Sequence, residues 1–315
     1  MHNLEEQKKS MGFDSNQEAV KSIAAKHLGK VGGEGYKATY DPELLVAIPR
    51  HFNRESYNIK EGDLPFVGGD VWNAYEVSAI TKKGRPVSGM MKIYYSSDSP
   101  LHVESKSIKL YLNSFNMTPL GETGAECVEI VEKIVAEDLS KALQTDVQVS
   151  FHTGSNDTEV IFGLEYDSLN DIIDLDTVEF NTYHSDASQL KTGTQNERIL
   201  ELKIHSDLLR SNCRVTNQPD WGDVYIHLVG KNMPDLPSLA RYIVSHRQVS
   251  HFHEEICEMM FVHLLEAYDP EKLMVTCLYT RRGGLDINPI RATHADMIPG
   301  VFIDVHTRNA KTLRQ

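Results

Sequence analysis

The chain has 315 residues, 40% hydrophobic and 24% charged, a globular composition that excludes intrinsic disorder. Its formal net charge of −13 disfavours direct nucleic-acid binding and requires a local basic cluster for any anionic ligand. No apolar run approaches the roughly 18 residues of a membrane span, and the N-terminal MHNLEEQKKS lacks a signal peptide's apolar core, so a cytoplasmic protein with no membrane partner is expected. Four cysteines, Cys127, Cys213, Cys257 and Cys277, show no CxxC spacing. They read as reduced thiols serving packing or chemistry, with no metal site expected.

Along the chain, Met11 to Leu28 has the composition of one short helix, and the glycines at 29, 32, 33 and 35 stop any regular element from continuing past it. Residues 1–35 read as an N-terminal extension. DVWNAYEVS from Asp70 alternates as a strand, KKGRP is a turn, and GMMKIYY from Gly89 completes a hairpin. Ser105 to Phe115 has helical spacing, and Gly121 to Gln144 carries an apolar stripe through Cys127, Ile130, Val131, Ile134, Val135, Leu139 and Leu143. VQVSFH is a strand. The acidic, loop-rich segment 156–195 bridges to a second half. There DVYIHLVG from Asp223 alternates, Leu239 to Val244 fits a strand or a helix start, His253 to Tyr268 is an amphipathic helix, and Lys272 to Tyr279 is a strand. Two similar halves are expected, 36–155 and 196–315, within an α+β fold.

Four stretches can carry chemistry. SNCRVTNQPDWGDV places Cys213 and Asp220 on a structured loop, where Pro219 restricts Gln218, Gly222 permits a tight turn and Trp221 offers a shield or a stacking face. A thiolate nucleophile beside a carboxyl that handles protons is one reading, and an inert buried cysteine is the other. HFHEE at His251 to Glu255 is a plain acidic helix start or, through His253 and Glu254, a donor–acceptor pair for a heterocycle edge. VESKSIKLYLNSF offers Glu104 to a ring donor edge and Ser105 with Lys106 to a phosphate, or is a surface helix with two lysines. YTRRGGLDINPIR sets Arg281 and Arg282 against Gly283 and Gly284, an exposed basic turn or a phosphate grip.

Taken in order and at these distances, ESKSIKLYLNSFN, CRVTNQPDWG, FHEEICE and YTRRGGLDINPIR resemble the long form of the NADPH-dependent 7-cyano-7-deazaguanine reductases, the nitrile reductases of queuosine biosynthesis. The likeness covers roughly residues 28 to 291 and includes TYDPELL, IPRHFNR and LPFVGGDVW. It implies a tunnelling fold shared with GTP cyclohydrolase I, as two fused modules with antiparallel sheets and paired helices. It implies reduction of the nitrile of 7-cyano-7-deazaguanine to 7-aminomethyl-7-deazaguanine with two NADPH. By motif position, Cys213 is similar to the nucleophile that forms a covalent thioimide, and Asp220 to the proton donor. Val103, Glu104, Ser105, His253 and Glu254 match the base-binding positions. Ser105, Lys106, Arg282 and Gly283 match the NADPH positions. A 7-deazapurine small molecule is the implied partner, and a homodimer the implied assembly. The chain departs from the pattern at His251, where an acidic residue is common in the family, and after Arg291.

Three rivals frame the reading. An archaeal relative uses the same thioimide to form an amidine on transfer RNA, against which stand ESKS, the ArgArgGlyGly turn and the acidic charge. A zinc-dependent cyclohydrolase on the same fold would use Cys213, His253 or Cys257 as ligands, without the expected spacing. A non-catalytic purine-binding module would bind pterins and deazaguanines and leave nicotinamide absorbance constant.

Overall fold

The computed structural model describes residues 18–20, 22–23, 37–154 and 159–315; the helix expected between Met11 and Leu28 lies almost wholly outside them. Two compact units form. The first comprises Met1–Leu64, Asn73–Ser155 and Gly283–Leu285, the second Pro65–Trp72, Asn156–Arg282 and Asp286–Gln315. Both mix helices with antiparallel strands, an α+β architecture.

In the first unit, β1 (Ala47–Pro49) is followed by the long strand β2 (Val67–Ile80, of which residues 67–72 belong to the second unit) and by β3 (Pro86–Ser96). Next come β4 (Leu101–Val103), helices α1 (Ser105–Asn113) and α2 (Gly124–Leu143), and β5 (Val147–His152). The expected hairpin forms as β2 beside β3, and β5 lies antiparallel on the other edge of β3, with Ile93 opposite Val149. The buried residues of α2 are Cys127, Val131, Val135, Leu139 and Leu143, five of the seven in the stripe read from the sequence; Ile130 and Ile134 are only half-buried. Thr123 caps its first turn by accepting the Glu126 N–H at 3.2 Å. The chain into β4 is held by two buried arginines. Arg50 Nε donates to Ser99 Oγ at 3.2 Å, and Arg54 Nη2 to the Ser97 carbonyl at 2.6 Å. β4 then pairs antiparallel with β1, Ala47 opposite Val103, which fixes where α1 begins.

In the second unit, β6 (Thr192–Ser206), β7 (Arg210–Asn212) and the sixteen-residue β8 (Pro219–Pro234) precede helices α3 (Leu236–Ser245) and α4 (His253–Tyr268). Strands β9 (Lys272–Tyr279) and β10 (Leu285–Ala292) come next. β6, β8, β9 and β10 are neighbours in that order, all antiparallel. Leu239 to Val244, open between strand and helix in the sequence, lies within α3. Asp235 settles the choice by accepting the Ser238 N–H at 2.9 Å as the helix cap, with a proline in the first turn.

Helix α4 is buried over nearly its whole circumference, from His253 through Ile256, Met260 and Leu264 to Tyr268. A helix so enclosed must neutralise every charge it carries inward. It does so at Glu258, where Arg291 Nη2 donates at 2.8 Å and also meets Asp70 Oδ1 at 2.9 Å. Arg291 is fully buried and also donates to the Gly69 carbonyl at 2.8 Å. One guanidinium thus joins α4, β10 and the start of β2. Gly68 lies at φ 139°, and a Cβ there would come within 2.1 Å of the Ile290 carbonyl oxygen, so only glycine fits this crossing. Removing Arg291 strands two carboxylates in the core. Arg291→Met is expected to lose about 3–5 kcal/mol in urea unfolding. A loss below about 1 kcal/mol, the range of an exposed ion pair, would show that the triad does not hold the unit together.

Candidate active site

Cys213 stands just after β7, half-buried, at the start of a turn that runs to Gln218. The turn closes on itself: the Cys213 N–H donates to the Gln218 carbonyl at 2.7 Å, and the Asn217 N–H to the Cys213 carbonyl at 2.9 Å. Asn217 takes the left-handed conformation, φ 56°, that asparagine tolerates better than most residues. β8 begins at Pro219, so Asp220 is already in the strand and not in the loop that the sequence suggested; it faces Ser211 of β7 across the ladder. Alternation along β8 then buries Asp220, 3% exposed, and turns Trp221 outward, 38% exposed. Trp221 carries Arg210 and Arg247 over its ring at 5.8 and 5.3 Å, on the face opposite Asp220.

Asp220 collects two of the residues singled out above. Arg282 Nη1 donates to its Oδ1, and His253 Nε2 lies 3.3 Å from its Oδ2. Burial alone would raise the Asp220 pKa. The hydrogen bond and charge of His253, and then Arg282, outweigh it and hold the carboxyl below its ordinary value. Arg282 experiences the reverse. Burial works against its charge, but Asp220 and then Cys213 outweigh burial and raise its pKa. The guanidinium is bonded to the carboxylate and lies within electrostatic reach of Cys213. Arg282, read as a phosphate grip on an exposed turn, is thus also a partner of Asp220.

His253 opens α4 and stacks on Tyr279, with ring centroids 3.7 Å apart and planes 7° from parallel. Its Nδ1 is buried and makes no hydrogen bond among the described residues, an edge that suits a polar ligand. Tyr279 was not singled out in the sequence. Its position depends on Gly222, opposite it in the β8–β9 ladder, where a Cβ would press within 3.1 Å of the tyrosine ring. Gly222 therefore gives room within a strand; it does not make the expected tight turn. The tail after Arg291 also braces this strand end. Gln315 Nε2 donates to the Tyr279 carbonyl at 3.2 Å and to Asn288 Oδ1 at 2.7 Å, and Arg314 Nη2 to the Gly222 carbonyl at 3.0 Å. Glu254, next to His253 in the first turn of α4, is 3% exposed.

The first unit holds the other candidates. Val103 ends β4, and its register on β1 leads directly into Glu104, whose N–H donates to the Val46 carbonyl at 2.9 Å. The Glu104 carboxylate caps α1, accepting the Lys106 N–H at 3.0 Å and the Ser107 N–H at 2.7 Å. Burial raises its pKa, and those amide bonds offset only part of the rise. Ser105 is half-buried and Lys106 exposed on the same first turn. Gly283 has φ 58°, and its carbonyl accepts from Lys109 Nζ at 2.6 Å; Lys109 also meets Glu76 Oε2 at 2.9 Å. Lys109, read only as a surface-face lysine, thus anchors the glycine turn. Cys257 is buried in α4, with Sγ directed at the Val275 and Pro289 carbonyls at 3.5 and 3.6 Å.

Residues 36–151 match the family model described as "Nitrile reductase, 7-cyano-7-deazaguanine-reductase N-term", and residues 219–297 match that of "QueF-like protein". The chain is 42% identical over 262 residues to the NADPH-dependent 7-cyano-7-deazaguanine reductase of Desulfotalea psychrophila, covering 83% of this chain and 91% of the relative. It is 42% identical over 282 residues to the enzyme of the same name from Burkholderia cenocepacia, covering 89% and 95%. A solved structure, the apo form of an archaeosine synthase QueF-Like, aligns with TM-score 0.27 and 17% identity over 30% of this chain and 91% of its own.

The Asp220 cluster has a measurable acid signature. A carboxyl whose folded pKa is depressed contributes stability above its ordinary range and loses it as pH falls through the folded value. Arg282→Met removes one of the two groups that lower Asp220, so the folded value moves toward the ordinary one and the carboxyl contributes less stability at neutral pH. Thermal melts of wild type and variant from neutral to about pH 3 should show the variant less stable at neutral pH, with the gap narrowing as the pH falls. A gap that stays constant with pH would show that Arg282 does not hold Asp220.

Proposed function

The chain belongs to the NADPH-dependent 7-cyano-7-deazaguanine reductase family, and from that premise we propose that it reduces the nitrile of 7-cyano-7-deazaguanine to 7-aminomethyl-7-deazaguanine in queuosine biosynthesis. We read its two halves as fused tunnelling-fold modules, working in the cytoplasm as a homodimer on a small molecule and without direct nucleic-acid contact. The observation that carries the reading is the buried Asp220 carboxylate, seven residues after Cys213, with Arg282 on one oxygen and His253 on the other.

A nitrile carbon is a poor electrophile, and Cys213 activates it by adding its sulfur. The adduct is a thioimide once the nitrile nitrogen has gained a proton. Asp220 is the group that moves this proton. It rests as a carboxylate, accepts the thiol proton as the C–S bond forms, and delivers it to the nitrogen. The step then needs no acid from outside: one S–H bond is lost, one N–H bond is gained, and the net charge does not change. Arg282, bonded to the carboxylate and within electrostatic reach of Cys213, stabilises whichever carries the negative charge.

By the family resemblance, His253 and Glu254 are base-binding positions, and so are Val103, Glu104 and Ser105. His253 offers its buried Nδ1, and Glu254 and Glu104 offer carboxylates for donor edges. NADPH fits the residues present: an exposed Lys106 and a half-buried Ser105 occupy the first turn of α1, and Gly283 exposes left-handed backbone beside Lys109. These residues would hold its phosphates. When bound it supplies hydride, and two equivalents are required because nitrile to amine is a four-electron reduction.

The decisive assay adds 7-cyano-7-deazaguanine to protein and NADPH. Two NADPH are expected to be consumed per nitrile, and no consumption by folded protein would sink the proposal. Without NADPH, the substrate's mass should appear on the chain in wild type and be absent in Cys213→Ala. Asp220→Asn should slow reduction about 100-fold or more; an unchanged rate would remove Asp220 from proton transfer.

A further inference from the structure

Arg214, the residue after Cys213, is buried at 2% exposure, unusual for a charged residue on a turn. Its guanidinium pairs with the Glu255 carboxylate, itself 6% exposed, in the first turn of α4. The other Glu255 oxygen accepts the Phe252 N–H at 2.9 Å and lies 3.1 Å from His251 Nδ1. Burial alone would raise the Glu255 pKa; Arg214 and then His251 outweigh it and hold the group as a carboxylate, well below the usual range. The backbone runs alongside this network. The Asn212 N–H donates to the Val249 carbonyl at 2.8 Å, and the His251 N–H to the Asn212 carbonyl at 3.1 Å. The turn that bears Cys213 is therefore tied, by a dry ion pair and a backbone pair, to the segment that opens into His253 and Glu254.

None of Arg214, Glu255 and His251 is called on by the chemistry assigned to Cys213 and Asp220. A dry ion pair is a poor stabiliser compared with apolar packing, and breaking one side of it leaves a buried charge uncompensated. Such a pair is well suited to fixing one arrangement. We propose that Arg214 and Glu255 are positioning residues that fix the Cys213 sulfur relative to the first turn of α4, so that a base held there presents its reacting carbon to the sulfur. The inference rests on Cys213 being the nucleophile. A misplacement of about 1 Å at a reacting atom costs about 100-fold in rate, which sets the scale of the effect.

The test compares wild type, Arg214→Leu, Arg214→Lys and the double variant Arg214→Leu/Glu255→Gln, which leaves no buried charge unpaired. Covalent adduct formation with saturating 7-cyano-7-deazaguanine, without NADPH, is followed by intact mass. Non-covalent binding is measured with each change placed on Cys213→Ala. Folded Arg214→Leu should form adduct about 100-fold more slowly, with affinity nearly unchanged and part of the rate restored by Arg214→Lys. Should Arg214→Leu fail to fold, the double variant decides: slow adduct formation supports the proposal, and a wild-type rate overturns it. A rate loss matched by an equal loss of affinity also overturns it. Wild type that forms no adduct would instead sink the functional reading. In that case amide exchange at residues 213–217 still decides the positioning role, which requires faster exchange in the folded variants and is overturned by unchanged exchange.

Discussion

Asp220 is a carboxylate taken almost wholly out of water, and it remains one because His253 and Arg282 reach it from two other elements. A buried carboxylate without such partners would neutralise itself by taking up a proton. Much of the second unit's local design comes from keeping them in place. α4 must begin at His253 and not a residue earlier or later, or the imidazole would turn off the aspartate. Gly222 must lack a side chain, so that the Tyr279 ring can lie flat under His253. Arg282 must sit just past the end of β9, which the β8–β9 ladder fixes by setting Tyr279 opposite Gly222.

The same logic of compensated burial recurs twice more. Arg291 answers Asp70 and Glu258, and Arg214 answers Glu255. In a chain of net charge −13 these arginines are spent inside, each facing carboxylates. The acidic surplus is left to the surface, where water screens it. The cations that remain near the glycine turn and the first turn of α1, Lys106 and Lys109 among them, stand out locally against an acidic background. That contrast is what a phosphate-bearing ligand requires.

Periodicity carried most of the fold. The α2 stripe and the β2–β3 hairpin arise from 3.6- and 2-residue spacing, whereas α4, expected to be amphipathic, keeps its bounds but is buried on nearly every side. Leu239 to Val244 was ambiguous because a short apolar run fits either period, and the Asp235 cap that decides it lies outside the run. The candidate site was legible as residue types, not as pairings. Arg282 reads as a phosphate ligand because arginine beside two glycines usually is one; its bond to Asp220 links residues 62 positions apart, which no local pattern encodes. Tyr279, Arg314 and Gln315 went unseen for the same reason. Gly222 was misread because glycine after Pro-Asp-Trp has the composition of a turn, whereas the constraint comes from the neighbouring strand.

The resting charge of Asp220 bears directly on what the site can do. A proton donor would ordinarily be raised toward neutrality by burial, as Glu104 is. Asp220 is pushed the other way, which at first sight argues against a donor. The difficulty disappears once the proton's origin is considered. Addition of a thiol to a nitrile carries its own proton, and the transfer needs a base before it needs an acid. In the proposed addition, a carboxylate held ionised by His253 and Arg282 is that base, and it becomes the acid only after taking the Cys213 proton. On that proposal, the features that make Asp220 a poor free acid are those that let one cysteine and one aspartate complete the addition between them.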